Sequence, residues 1–383
     1  MPEEPVVVVG SGPAGLGAAL ALKAQGVARV VVLEREAEPG GVPRHCAHPP
    51  YGLREFGRPM TGPTYARRLV ARAHAAGVEI RARTTVTRLQ PGAVLEVASP
   101  AGVDRLHADR VVLATGIRET PRAARLIGGD RPLAGVMNTG ALQACVHLEG
   151  LAPFRRPLIV GSELVAMSAL LTCRKAGIHP VAMIEPGERP TTRAVFGLLP
   201  RLLGGRLWLA TRLVEIHGRA RVTGALVEDG AGRRHEIGCD GVLFTGGFVP
   251  AAELVRESHL ELDPKTGGPV IDTFGRCSDP NYFAAGNLLR PVENASWCHR
   301  EGHRIGAFVA QDLAAPLPKA CIAVEVEAPL RFAIPQRCVA GGPTGMARWQ
   351  VRLEAPAAGF LQVWADEMLL AQGRVRALPE RRL

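Results

Sequence analysis

Residues 6–19 read Val-Val-Val-Val-Gly-Ser-Gly-Pro-Ala-Gly-Leu-Gly-Ala-Ala, and this stretch decides the fold. A β-branched apolar run meets three glycines, Gly10, Gly12 and Gly15, and then a helix-forming segment. A second short strand, residues 28–33, ends at Glu34, 24 residues after Gly10. Each part has a physical task. Gly10 allows a tight turn, Gly12 lets the backbone approach a pyrophosphate, and Gly15 lets helix and strand pack closely. The helix start presents unpaired N–H groups and a positive dipole end to phosphates. Glu34 can accept hydrogen bonds from a ribose diol. Three glycines alone would be a weak signal, but here strand, glycines, helix, second strand and terminal acid follow one another in order.

The pattern recurs. Residues 157–162 are again strand then glycine, followed by an apolar helix over 164–176 and a strand over 180–184 that ends at Glu185. Gly161 to Glu185 is also 24 residues. Two nucleotide-binding βαβ units in one chain are expected.

Length supports this, since 383 residues exceed one ordinary core. The net charge of +10 is carried almost wholly by arginine; Lys23, Lys175, Lys265 and Lys319 are the only lysines. These charges are scattered among acids, and aromatic residues make up only 4%, so a nucleic-acid groove is not expected. No apolar run is long enough to span a bilayer. The opening Met1-Pro2-Glu3-Glu4-Pro5 lacks the basic and apolar regions of a secretory signal, so a cytoplasmic location is expected. Eight cysteines are spread out, with no Cys-x-x-Cys, so neither a metal site nor a thioredoxin-type redox pair is expected.

Between the two units lie an arginine-decorated amphipathic helix over 64–76 and strands over 79–83, 86–89, 93–97 and 110–114. Beyond the second unit, strands are expected over 214–217, 222–228, 235–238, 241–245 and 281–285, then a long helix over 295–313. Pro316-Leu317-Pro318 reads as a linker to a β-rich appendage over 319–383.

This combination resembles the flavoproteins with two dinucleotide-binding domains, the group that includes the pyridine-nucleotide-disulfide reductases, over roughly residues 5–315. The resemblance implies an α/β fold of two Rossmann-like, doubly wound three-layer domains, the second inserted in the first. The FAD domain would comprise 1–120 and 246–315, the NAD(P)-type domain 121–245, and the β-rich unit 319–383. Gly10, Gly12, Pro13, Ala14 and Gly15 resemble the FAD pyrophosphate loop, and Glu34, with Arg35 beside it, the acid on the adenosine ribose. Gly40-Gly41 matches the paired glycines that pass the flavin. Ala114-Thr115-Gly116 matches the strand end that returns to FAD, and Val86 is a further expected FAD-binding residue. Residues 283–287, ending Gly286-Asn287, match the late motif that holds the ribityl chain, with asparagine where aspartate is usual; its ribityl contacts are expected to survive. Within that group the chain looks most like the stand-alone and α-subunit type, the latter as in heteromeric opine, D-hydroxyproline and related amine dehydrogenases and in hydrogen cyanide synthase; similar chains also accompany glycerol-3-phosphate dehydrogenase-like proteins.

Departures from the family pattern carry information. The second loop holds Glu163 where a second glycine belongs. A side chain there fills pyrophosphate space, and two like charges ~4 Å apart repel by about 1 kcal/mol even in water. The expectation is loss of NAD(P) binding; the competing reading is a shifted loop in which Glu185 still reads a ribose. No disulfide pair accompanies the flavin position, because only Cys46 lies near the glycine pair. Cys321 and Cys338 are too few for an iron–sulfur cluster in the C-terminal unit.

Near the glycine pair, His45 and Cys46 are the candidate catalytic residues. His45 either relays a proton or, like His48, only satisfies backbone groups; Cys46 is either reactive or an inert buried thiol. Asn294 and Ser296 are alternative caps of the late helix. The function these features imply is an FAD-dependent electron-transferring subunit. Its partner dehydrogenase would oxidise a small-molecule amine, amino acid or hydroxy acid. A self-contained NAD(P)H-dependent FAD reductase and a non-catalytic FAD-containing scaffold are the alternatives.

Overall fold

A computed structural model of the chain describes residues 4–192, 199–202, 205–340, 345–346 and 348–383. Met1-Pro2-Glu3, part of the start read above, lies outside the described residues. The chain divides into two compact units, one of Met1–Pro39, Val70–Ile117 and Pro250–Leu383, the other of Gly40–Leu69 and Arg118–Val249.

The first unit is built on a five-stranded sheet in the order Tyr282–Ala284, Arg110–Leu113, Val6–Val9, Val30–Leu33, Glu79–Arg81. All its neighbours are parallel, with Val6 opposite Val30 on one side and Arg110 on the other. Val6–Val9 and Val30–Leu33 are buried throughout, as expected of parallel strands covered on both faces. A three-stranded antiparallel sheet, Thr85–Gln90, Val94–Ser99 and Gly102–His107, adjoins it, and the Tyr282 hydroxyl donates to Gln90 O at 2.6 Å. Gly102–His107 is exposed along most of its length and so shows no apolar alternation in the sequence.

The crossover helix Pro13–Ala24 lies against the late helix Ala295–Ala314 at backbone distance. A Cβ on Gly302 would collide with Ala14 O, one on Gly306 with Ala18 O, and one on Gly17 with His299 O. A Cβ on Gly15 would likewise collide with Gly10 O. These glycines are required by close approach, and they fix the head of the first helix over the strand ends.

In the second unit the sheet order is Val136–Asn138, Gly241–Phe244, Pro157–Val160, Ala182–Ile184, Leu207–Trp208, again parallel. Helices Thr139–His147 and Leu164–Lys175 pack together, with Leu142, Ala166 and Met167 in one apolar cluster. A mixed, mostly antiparallel sheet covers the other face, its Leu213, Ala225 and Val227 buried with Leu158 and Phe244. Residues 40–69, assigned from sequence to the segment 1–120, belong to this unit: the short turn Val42–His45 packs on the Thr139–His147 helix. The strand Val136–Asn138 and the helix after it carry no strong period, and the sequence does not announce them.

The C-terminal region is a set of small two-stranded sheets within the first unit. Leu330–Ile334 pairs with Gln350–Leu353, and Ala357–Ala365 forms a hairpin with Met368–Ala377. Leu330–Ile334 is a further strand that local patterning does not reveal.

The glycine contacts yield a direct test. Gly302→Ala is expected to lower unfolding stability by about 2–3 kcal/mol, because the added methyl meets backbone and not a movable side chain. The midpoint of urea unfolding measures it.

Candidate functional site

The first βαβ loop is open. Gly10 has φ +102°, and a Cβ on it would lie 2.6 Å from Ala114 O, which brings the loop onto the end of the Arg110–Leu113 strand. A Cβ on Gly12 would meet nothing within 4 Å. No side chain caps the helix that starts at Pro13, and its first turn carries no acid. An uncapped, acid-free helix start beside open ground is the geometry that binds a diphosphate through main-chain N–H groups. Pro13 at the first helical position forfeits a donor that would be unpaired there anyway.

Glu34 is 6% exposed and braces this loop. Its Oε2 accepts from the Ser11 N–H at 3.1 Å and from the Ser11 hydroxyl, and its Oε1 accepts from the Glu36 N–H at 2.9 Å. A carboxylate has about four acceptor directions, so one on Oε1 is left for a ribose hydroxyl. Arg35 points to solvent, with an exposed ion pair to Glu36 at 3.5 Å. Val86 is buried on its strand, two residues after Thr84, whose N–H donates to Glu34 O at 2.8 Å.

Other expected cofactor positions gather around the same loop. Ala114 N–H donates to Val9 O at 2.9 Å, and the Thr115 hydroxyl donates to Ala251 O at 2.8 Å. Gly116 O accepts from the Ala251 N–H at 2.9 Å. Gly286, φ +76°, would place a Cβ 2.6 Å from the Ala14 Cβ. The Asn287 side chain is tied down locally. Its Oδ1 accepts from the Glu293 N–H at 2.7 Å, and its Nδ2 donates to Glu293 O at 3.0 Å. Asn294, and not Ser296, caps the late helix, accepting from the Trp297 N–H at 2.9 Å.

The second loop repeats the bracing and closes the mouth. Ser162 hydroxyl donates to Glu185, and Gly187 N–H donates to Glu185 Oε1 at 3.0 Å, as Ser11 and Glu36 do to Glu34. The segment after Glu185 then folds back: Thr191 N–H donates to Ser162 Oγ at 3.0 Å and Thr192 N–H to Ser162 O at 3.1 Å. Glu163 turns over the loop. Its Oε2 accepts from Thr245 Oγ1 at 2.7 Å and stands 2.7 Å from where a Gly161 Cβ would be, and a Cβ on Gly246 would collide with Oε1. Burial raises the Glu163 pKa, against the lowering effect of Thr245. Arg125 lies alongside, donating to Gly246 O at 2.7 Å. Glu163 thus stands at the position that Gly12 holds in the first loop, with its carboxylate against Thr245 and Gly246.

Within the second unit, Gly41 (φ +64°) opens the loop that carries His45 and Cys46. Cys46 is 6% exposed, and its thiol donates to Gln143 Oε1 at 3.4 Å; Gln143 Nε2 in turn donates to Ser168 Oγ at 3.1 Å. Burial raises the Cys46 pKa, which keeps the thiol protonated and a poor nucleophile. Burial, then Arg44 and His147, push His45 down to about 4, so its imidazole is neutral at pH 7. All eight cysteines are free thiols. Among the described residues no cluster of His, Cys, Asp and Glu could hold a metal ion, and no helix is long and apolar enough to cross a membrane.

The family model for pyridine nucleotide-disulphide oxidoreductases matches residues 4–302. The chain belongs to this family. It is an FAD-dependent oxidoreductase, with the α/β architecture and Rossmann-like sheets the sequence implied. It is 28% identical over 347 residues to the benzene 1,2-dioxygenase system ferredoxin–NAD(+) reductase subunit of Pseudomonas putida, covering 85% of this chain and 76% of that one. A subunit of the opine oxidase of Agrobacterium tumefaciens (strain Ach5) is 26% identical, over 74% of this chain and 60% of its own length. Thioredoxin reductase of T. acidophilum shares the fold, with a TM-score of 0.68 at 20% identity, covering 82% of this chain and all of that one. The match spans less than two thirds of the opine oxidase chain.

His45 gives a pH prediction. Its unfolded pKa is near 6.5 and its folded pKa about 4, so between these values the unfolded chain binds more protons. The stability it contributes is present above pH 6.5 and is lost as pH falls toward 4. His45→Gln is expected to flatten the fall of Tm over that window, read by thermal unfolding against pH.

Proposed function

We propose that this chain is the electron-transferring FAD subunit of a multi-component oxidoreductase. A partner dehydrogenase oxidises an amine, amino acid or hydroxy acid, and this chain passes the electrons onward. The carrying observation is the contrast between the two loops: Gly12 leaves open ground at the first, whereas Glu163 fills the second. The reading therefore puts FAD on the first unit, which carries Gly12. Main-chain N–H groups of 12, 14 and 15 would hold its diphosphate, Glu34 and Arg35 would lie at its ribose, and Val86, 114–116, Gly286 and Asn287 would line its remaining length. Residues 121–245 keep the NAD(P)-type fold without the ligand, and 319–383 form the added β unit.

Bound FAD would supply hydride or electron acceptance. His45 and Cys46 enter as neutral groups: a thiol that stays protonated, and an imidazole able to donate or accept one hydrogen bond without adding charge. The likeness to the opine oxidase chain, itself named as one component of a larger enzyme, supports a partner. The likeness to a ferredoxin–NAD(+) reductase favours a second reading, a self-contained NAD(P)H-dependent reductase. Glu163 and the Thr191-Thr192 strap weigh against it.

Bleaching of the oxidised flavin decides between them. NADH is expected to leave the yellow protein unbleached, while a partner dehydrogenase with its substrate bleaches it; rapid bleaching by NADH alone would overturn the reading of this chain as a partner-fed carrier. Purified protein that takes up no FAD even in excess would overturn both.

Exchanging the two loop residues tests the contrast. Gly12→Glu copies the closed loop into the open one. It is expected to weaken FAD binding by about 100-fold or more while the Tm of FAD-free protein holds, since the new Cβ has room. Glu163→Gly is expected to create or strengthen NADH binding, followed by fluorescence titration. Equal NADH binding before and after would remove the role given to Glu163.

A further inference from the structure

Two glutamates beside the Gly286-Asn287 turn are held by residues from the far end of the chain. The Glu293 side chain, 8% exposed, accepts from Arg352 Nη2 at 3.0 Å and from Arg382 Nη1 at 2.8 Å. Arg382 also lies over the Trp297 ring, 3.6 Å from its centroid. The Glu293 backbone meanwhile closes on both polar atoms of the Asn287 side chain. The second glutamate, Glu301, accepts from the Gly286 N–H at 2.9 Å and pairs with Arg290 at 2.9 and 2.7 Å. Arg290 is 1% exposed. Its Nε donates to Gln350 Oε1 at 3.0 Å, and Gln350 Nε2 donates to Glu301 Oε1 at 3.3 Å.

Gln350 and Arg352 stand two apart on one strand, Gln350–Leu353, and so share a face. Leu383 exchanges backbone hydrogen bonds with Val351 of that strand, at 3.2 and 3.4 Å, which brings Arg382 alongside. One face of the C-terminal region thus delivers three side chains to the two glutamates that flank one turn. A carboxylate this far out of water holds its place only with its cations, and losing them leaves an uncompensated buried charge.

We propose that the C-terminal β unit is a positioning element for the flavin turn. Arg352 and Arg382, acting through Glu293, fix the Asn287 side chain and with it the backbone of Gly286 and Asn287. The inference rests on the reading that this turn faces FAD. Arg352 and Arg382 touch no reacting atom; they are positioning residues.

The test uses the full chain, with FAD as the probe. FAD binding is titrated by flavin fluorescence, and the visible spectrum of bound flavin is recorded. Arg352→Gln with Arg382→Gln is expected to raise the FAD Kd by about tenfold or more and to alter the bound-flavin bands. Arg352→Lys with Arg382→Lys keeps both charges on Glu293 and is expected to stay within about threefold of the parent. A merely structural role would not separate the two pairs by flavin spectrum. An unchanged Kd and spectrum in the glutamine pair would overturn the proposal. Should that pair not fold, Asn287→Ala breaks the relay beyond the ion pairs and is expected to weaken FAD equally; no weakening there overturns the proposal too. Parent protein that takes up no FAD overturns the cofactor reading and this inference with it, and is told apart because it needs no variant.

Discussion

Backbone meeting backbone at the head of the first crossover helix is the contact on which the first unit depends. Gly15 sits on Gly10, and Gly302 and Gly306 sit on Ala14 and Ala18, with no room for a methyl at any of them. The helix is thereby set at one height above the strand ends. Its unpaired N–H groups emerge at the loop, not under it, and the Gly286 turn is pressed against Ala14. Ser11, held by Glu34, shapes the loop between these fixed points. The main chain at the helix start is what these contacts place, and the side chains nearby keep it placed.

The second unit shows how one platform ends in a differently built loop. Ser162 and Glu185 repeat the Ser11–Glu34 brace, and the parallel strands repeat the platform. The difference is concentrated in one side chain and a strap. Glu163 is stabilised where it lies by Thr245 and by Arg125, so opening the loop would cost those interactions as well as moving a carboxylate. The two sheets are alike, and the loops at their ends differ.

Local features were legible in the sequence. The glycines, both terminal acids and the long helices announce themselves because turn geometry and helical period are written in neighbouring residues. Glu163 was visible as an intruder, although its partners Thr245 and Arg125 were not, since they lie 82 and 38 positions away. The placement of residues 40–69 depends on long-range contacts of the Cys46–Gln143 kind, which no local period encodes. The short edge strand Val136–Asn138 is half-buried and three residues long, too little to stand out. The Arg352–Glu293–Arg382 group was hidden for a related reason. In a chain whose basic residues are nearly all arginine, nothing marks these two as the partners of one glutamate.

The hairpin of Ala357–Ala365 and Met368–Ala377 carries a practical consequence. Phe360, Trp364, Met368 and Leu370 are all more than half exposed, and among the described residues neither outer rim of the ribbon is joined by another strand. Such a ribbon is a template for ladder growth between molecules. Concentrated stocks of the isolated chain will tend to self-associate through it, so dilute handling, or a lysine at position 360 or 364, is the route to monodisperse material.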